Sequence, residues 1–457
     1  MSMLAPSVEL EEASSESNDD LEAEAVFENL DDLPAGSKLP RATYRLQFNA
    51  SFTFRDARAL VPYLAALGVS HCYASPFLKA RARSQHGYDI VDHAMFNPEI
   101  GTEEEFEELV SELRDNDMGL ILDFVPNHMA VATSDNAWWV DVLENGPSSP
   151  YASFFDIDWM PLKPDLAHKV LLPVLGDQFG KVLDDGQLVL VSEGGAFSLT
   201  YHERRFPIAT RSVGAILKHR LEELEQTLGA EHTDLIEYKS ILTAISHLPP
   251  RTETDPEKIA EGRREREVIH RRLNALLESS PQITVFLSEN VRLFNGQPGD
   301  PRSFDLLDRL LLDQAYRLAF WRVAADEINY RRFFDINELA AICMENPTVF
   351  EKTHELALRL VRDGLVDGLR IDHPDGLYDP LDYLEQLQRA RSAPFSRQVT
   401  TFNDDSVLLL QRGDALDLNE TESAESAQPG ANESAPLAQK SGSPTEQPLY
   451  LVVEKIL

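Results

Sequence analysis

Residues Asp367–Pro374 read DGLRIDHP, which sets Arg370 two positions before Asp372 and puts His373 directly after it. Val366, Leu369 and Ile371 alternate with polar or small neighbours, as in a short, largely buried strand, and Pro374 ends its pairing. An arginine one strand step from an aspartate can hold the acid ionised and aimed, as a nucleophile requires. Taken alone, the octapeptide fits an Arg–Asp pair closing a strand end equally well. Two other strand ends carry related groups: GLILDFVPNH delivers Asp123, Asn127 and His128, and YLVVE delivers Glu454. Carboxylates on neighbouring parallel strands, about 5–5.5 Å apart, suit retaining cleavage of a sugar bond, one acid as nucleophile and one as acid/base. Asn127 and His128 carry groups able to donate to sugar hydroxyls, although His128 also reads as a satisfied strand-end histidine. No Walker loop, GxGxxG fingerprint, Cys/His cluster or nucleophile elbow offers a competing chemistry, so no metal and no cofactor is expected.

Parallel strands are needed to bring these groups together. Ala42–Phe48 alternates as a strand, Phe54–Leu67 has helical spacing stopped by Gly68, and Val69–Ala74 is a second strand. Ser75–Gly101 reads as a long polar loop holding SQHGYDIVDH. In it Tyr88 reads as loop packing or a sugar platform, His86 and His93 as loop-ordering or site groups, and Asp89 and Asp92 as solvated charges. Thr102 then caps an acidic helix, and Gly119–Val125 is a buried strand. Strand, helix, strand, helix, strand, with polar residues after the strands, predicts a parallel α/β fold with its site at the C-terminal strand ends.

From about residue 130 to 301 the pattern predicts an inserted α+β subdomain. Its strands are Val170–Leu175, Gln187–Val191 and Phe197–Tyr201, followed by three amphipathic helices with a linker at Pro249–Pro256. Residues 302–396 resume the strand–helix alternation, carrying the fourth strand. Residues 397–448 are a flexible, low-complexity insertion, and 449–457 hold the fifth strand. Residues 1–37 have eleven acidic and no basic side chains, the mark of a disordered acidic tail. Residues 38–129 thus hold strands one to three.

The net charge of −35 over 457 residues argues against nucleic acid or an anionic membrane as partner and fits a neutral substrate. No apolar run reaches spanning length and no signal peptide precedes the fold. Two cysteines, Cys72 and Cys343, read as buried thiols in a reducing, cytoplasmic setting.

DFVPNH at Asp123–His128, GLRIDHPDG at Gly368–Gly376 and VVEK at Val452–Lys455 resemble three of the four signature regions of the α-amylase superfamily. ATYRLQF, SQHGYDIVDH, KVLLPVLG at Lys169–Gly176 and INYRRFFDINELA at Ile328–Ala340 resemble, within it, the maltooligosyltrehalose synthase family. The resemblance covers Arg41 to about Ala393 and the last eight residues.

It implies an incomplete (β/α)8 TIM-type barrel, strands one to five, with an inserted subdomain. It implies a maltooligosaccharide or α-1,4-glucan substrate whose reducing-end linkage is turned into an α,α-1,1 linkage. Asp372 would be the nucleophile, Glu454 the acid/base, Arg370 the group keeping Asp372 ionised, and Asp123 an orienting acid. His128 and Tyr88 would line the reacting subsite, Tyr88 by stacking, with His86 and His373 as weaker candidates. Arg331, Arg332, Phe333 and Phe334 read as an acceptor wall or as a packing cluster at a helix start. The fourth signature region is missing, which implies a fragment lacking a C-terminal half. Two rival readings follow, an inactive glucan-binding fragment and a hydrolytic α-glucanase.

Overall fold

The computed structural model describes residues 39–132, 134–392 and 449–454. The acidic tail and the low-complexity insertion predicted from composition lie outside the described residues.

Five parallel strands form the central sheet: β1 (Thr43–Leu46), β2 (His71–Ala74), β3 (Gly119–Phe124), β4 (Gly368–Ile371) and β5 (Tyr450–Val453), ordered as in the chain. All four strand pairs are parallel, with Arg370 opposite Asp123 on one side and Val452 on the other. With its connecting helices this sheet is a partial (β/α) barrel. All six residues of β3 are buried, as expected of a strand covered on both faces. Gly368 is needed where β4 meets β5, because a Cβ there would fall 2.7 Å from the Tyr450 carbonyl oxygen.

Helix α1 (Phe54–Ala66) starts on a capping box between Thr53 and Asp56, and α2 (Glu103–Asp115) on one between Thr102 and Glu105. Their buried faces, Phe54, Ala57, Val61 and Leu64 on α1 and Phe106, Leu109, Val110 and Leu113 on α2, cover the sheet. Phe54, Phe77 and Phe106 interlock with ring centroids 5.0–5.7 Å apart. Burying each ring is worth roughly 1.5–3 kcal/mol. Helix α3 (Pro347–Arg362) leads into β4 and α4 (Pro380–Ser392) follows it. At the opposite end from the candidate site, Asp367 accepts from Arg114 at 2.9 Å and from the Leu120 amide at 2.7 Å, tying β3 to β4.

Three expectations are corrected. The loop Ser75–Gly101 contains an antiparallel pair, Leu78–Ala80 with Ile90–Phe96, whose irregular register hides any alternation. The region from residue 302 does not return directly to the barrel. Tyr316–Phe320 pairs in parallel with Val170–Leu175, and Arg332–Phe333, Ile336–Ala341 and His128–Ala130 form a separate antiparallel sheet. These partners lie far apart in the chain, so local pattern carries no sign of them. The first predicted helical stripe of the insert is broken at Arg220, in the left-handed region, into Thr210–Lys218 and Leu221–Leu228. Helices at Ala137–Asn145, Phe179–Asp184, Pro281–Phe294 and Asp305–Leu312 add to those expected from the sequence. Among the described residues no helix is long and apolar enough to cross a membrane.

Candidate active site

The β3, β4 and β5 ends converge on Arg370. Its Nη1 donates to Oδ1 of Asp123 at 2.8 Å and to Oδ1 of Asp372 at 2.6 Å, and its Nη2 lies 2.9 Å from Oε1 of Glu454. Burial opposes the charge on this guanidinium, but Asp123 and Asp372 outweigh it and hold Arg370 above its ordinary value.

Asp123, 1% exposed, lies beneath the site. Its Oδ2 accepts from Tyr73 at 2.7 Å, Tyr88 at 2.6 Å and Arg45 at 3.1 Å. Four donors saturate it, so its geometry is that of an orienting anchor. Arg45 and Tyr73 went unnoticed in the sequence. The signal was present, since period-two alternation puts both on the face of β1 and β2 that Asp123 occupies on β3.

Asp372 is buried, and burial pushes its carboxyl up to about 6 despite the bond and charge of Arg370. The hydrogen bond and charge of Arg370 work toward the ionised form, as expected, and offset that desolvation in part. Near neutral pH the carboxylate still prevails by roughly ten to one. Glu454 is held through Oε1, while its buried Oε2 has no hydrogen-bond partner and lies 3.5 Å from Nε2 of His373. One oxygen each of Asp372 and Glu454 and a ring nitrogen of His373 lie within 4.8 Å of one another. Two acids and an imidazole at this spacing have the donor types for a cation, yet Arg370 already supplies their positive charge.

Arg370, Asp372, His373, Glu454, Tyr88, His128 and His86 all line one cavity of about 510 Å³. Tyr88 turns its ring to the cavity beside His86, at 6.0 Å, and burial pushes its phenol up to about 12. His128 is buried, which drops its pKa to about 3 and leaves the imidazole neutral. Nε2 of His128 faces the Tyr88 carbonyl oxygen at 3.2 Å, so its N–H is already spent there, and the unpartnered Nδ1 is left as an acceptor. The expectation of a donor to sugar is corrected to that extent. His373 adopts φ 44°, and its ring meets Phe333 and Phe334 edge-on at 4.7 and 5.3 Å. Phe333 also covers His128 at 4.1 Å.

Asn127 is not among the residues that line this cavity. It is buried, its Oδ1 accepts from Arg331 at 3.2 Å, and Arg331 also reaches the Gly376 carbonyl at 2.8 Å and Asp156 at 2.8 Å. A partner 204 positions away took up the side chain that the motif seemed to leave free. Asp89 is no solvated charge: it is buried, takes the Ser84 hydroxyl and lies 3.3 Å from Arg81. Asp92 accepts from the Ala94 amide of its own strand at 2.9 Å. His93 packs against Phe124 with Nε2 3.0 Å from the Val125 carbonyl, away from the cavity. Arg332 and Phe333 form a hairpin strand, not a helix start. Arg81 and Glu338, absent from the sequence reading, line the cavity wall 3.1 Å apart.

The sequence profile described as "Alpha amylase, catalytic domain" matches residues 59–181. A putative maltooligosyl trehalose synthase of Mycobacterium tuberculosis is 31% identical over 356 residues, covering 76% of this chain and 32% of the relative. The intracellular maltogenic amylase of Bacillus subtilis is 35% identical over 136 residues, covering 29% of this chain and 21% of the relative. The solved maltooligosyltrehalose synthase of Arthrobacter ramosus is 33% identical with a TM-score of 0.51, covering 77% of this chain and 33% of the solved one. The chain thus spans 32–33% of the length of the synthases it matches.

Proposed function

Because the chain belongs to the α-amylase superfamily, and its likeness there runs to maltooligosyltrehalose synthases, we propose that it rearranges maltooligosaccharides by intramolecular transglycosylation. The observation that carries this reading is the pair Asp372 and Glu454, held by one arginine with carboxylate oxygens no more than 4.8 Å apart. An oxygen-to-oxygen approach of that order stands nearer the roughly 5–5.5 Å of retaining pairs than the about 6.5–9.5 Å of inverting ones and so supports retention.

In this reading Asp372 attacks C1 of the penultimate glucose through Oδ2, its Oδ1 being fixed by Arg370. Glu454 protonates the departing O4 from Oε2, the oxygen without a partner. The released glucose turns, its anomeric hydroxyl gives its proton back to Glu454, and its oxygen displaces Asp372 from C1. One α-1,4 bond is broken and one α,α-1,1 bond is formed, with no net gain or loss of water. Asp123 and Arg45 fix the cradle, and Tyr88 offers a ring face to the sugar. Phe333 and Phe334 around His373 favour exclusion of water, on which transfer in place of hydrolysis depends. Two free cysteines support a cytoplasmic location.

The test is incubation with maltopentaose, scoring reducing ends and free glucose. Loss of reducing ends without glucose release, abolished in Asp372→Ala, supports the proposal. Glucose release in place of that loss makes the chain a hydrolase. Binding without turnover leaves a glucan-binding protein and sinks the catalytic reading.

A further inference from the structure

A second polar cavity, of about 270 Å³, lies in the insert and shares no residue with the candidate active site. Arg211, Arg251 and Arg266 all line it. Arg211 donates to the Leu248 carbonyl, and Arg251 donates to the Asp313 and Gln314 carbonyls at 2.8 and 3.0 Å. Arg266, on the helix Pro256–Ser279, has its Nη2 buried without any hydrogen-bond partner. None of the three makes an ion pair among the described residues, in a chain whose net charge is −35.

A buried guanidinium nitrogen that finds no acceptor among the protein's own groups is costly, on the order of 1–3 kcal/mol, which favours an acceptor from outside the chain. Two acids line it as well, Glu144 taking the Thr210 hydroxyl at 2.8 Å and Asp313 that of Ser212 at 2.9 Å, so three guanidinium groups share the cavity with two carboxylates. His270 faces the Thr210 hydroxyl at 3.0 Å. The helix Thr210–Lys218 opens onto the same cavity, and its first residues have no side-chain cap, since Ala209 stands at the capping position. The Ser212 amide already donates to the Ala209 carbonyl at 2.7 Å, so it is the partial positive charge of the helix start that favours an anion there.

We propose that this cavity is a binding site for a tetrahedral oxyanion of the phosphate class, with Arg266 as its principal ligand and Arg211 and Arg251 beside it. The volume admits inorganic phosphate or the phosphate of a sugar ester. A neutral glucan leaves the excess positive charge of three guanidinium groups over two carboxylates unbalanced, so the site is separate from the proposed catalysis.

Calorimetric titration of inorganic phosphate into the full chain, at an ionic strength held constant with chloride, tests the proposal. Saturable one-to-one binding is expected, weakened at least tenfold in Arg266→Gln. That variant should melt no lower than the wild type without phosphate, because the buried Nη2 of Arg266 has no hydrogen-bond partner to lose. Glucose 6-phosphate binding more tightly than phosphate, with the gain lost in Arg266→Gln, assigns a sugar ester; no gain assigns the free oxyanion. The absence of saturable binding to the wild type, or undiminished binding to Arg266→Gln, overturns the proposal. Should the variant misfold, the wild-type titration and a phosphate-dependent rise in melting temperature decide by themselves.

Discussion

Arg370 donates to Asp123 at 2.8 Å from the same Nη1 that reaches Asp372 at 2.6 Å, so the acid beneath the site aims the arginine that aims the acid above it. Asp123 is buried and holds Arg45, Tyr73 and Tyr88 as well. In Asp123→Asn an amide N–H₂ must face one of these donors, and Arg370 is freed to swing. Losing a charge-assisted bond of this kind is worth about 1.5–3 kcal/mol, so kcat for maltopentaose should fall about 10–100-fold. KM should change much less, because Asp123 does not line the cavity. A variant with wild-type kcat would remove Asp123 from the positioning chain.

Burial that pushes Asp372 up to about 6 from an ordinary 3.8 also makes it a liability to the fold. The folded chain binds this proton more readily than the unfolded chain does. The stabilisation is therefore present below about pH 4 and lost as pH rises through about 6. Above that, the ionised acid costs on the order of 2–3 kcal/mol. Asp372→Asn has no charge to desolvate. It should be inactive yet more stable than the wild type at pH 7.5 in urea unfolding, with the gain shrinking between about pH 6 and pH 4. A variant less stable than the wild type at pH 7.5 would show that the Arg370 bond outweighs desolvation.

Histidines carry the opposite sign. Burial drops His93 to about 4, and His128 and His354 to about 3, from an ordinary 6.5. All three are neutral in the fold and charged in the unfolded chain below about pH 6, so their contribution is lost as pH falls. Between pH 6 and pH 5 unfolding takes up nearly three protons at these histidines and releases most of one at Asp372. The balance predicts a fall in stability of about 2–3 kcal/mol over that single unit. Urea midpoints at the two pH values measure it directly. His354→Gln, which keeps a hydrogen-bonding group near Tyr383, should flatten the slope by about half, since Asp372 already offsets part of the histidine uptake.

What the sequence could disclose follows the range of the interactions. The strands β1 to β4, the capped helices and the groups at the strand ends have local signatures in alternation, in Thr-x-x-acid pairs and in polar residues after apolar runs. Arg370, Asp372 and Glu454 were readable for that reason. Asn127 was misread because its partner, Arg331, arrives through a different sheet, and the insert boundary was misplaced because Tyr316–Phe320 finds its neighbour in Val170–Leu175. Arg81 and Glu338 meet across 257 positions, and no local pattern announces that pair. For the carboxyl of Asp372 the charge pairing with Arg370 is visible in the motif, whereas the desolvation that works against it is a property of the packed core.

The loop that carries Tyr88 to Asp123 depends on the residue before it. Gly87 adopts φ +80°, a backbone conformation that strains any side chain, and a Cβ there would fall 2.4 Å from the Pro76 carbonyl oxygen. Gly87→Ala must move either the loop or Pro76, at a cost of about 1–3 kcal/mol. The Tyr88 hydroxyl then no longer reaches Asp123 at 2.6 Å, and the cavity wall it forms with His86 shifts. Tyr88→Phe removes that hydroxyl alone and leaves the ring, so it should lower kcat by about tenfold with little change in KM. Gly87→Ala should lose more, raising KM as well, because the ring itself is displaced. Comparing the two variants on maltopentaose separates the hydroxyl from the platform. If Gly87→Ala behaved as the wild type in both melting temperature and KM, the loop would be tolerant enough that Tyr88 could not be a fixed wall of the site.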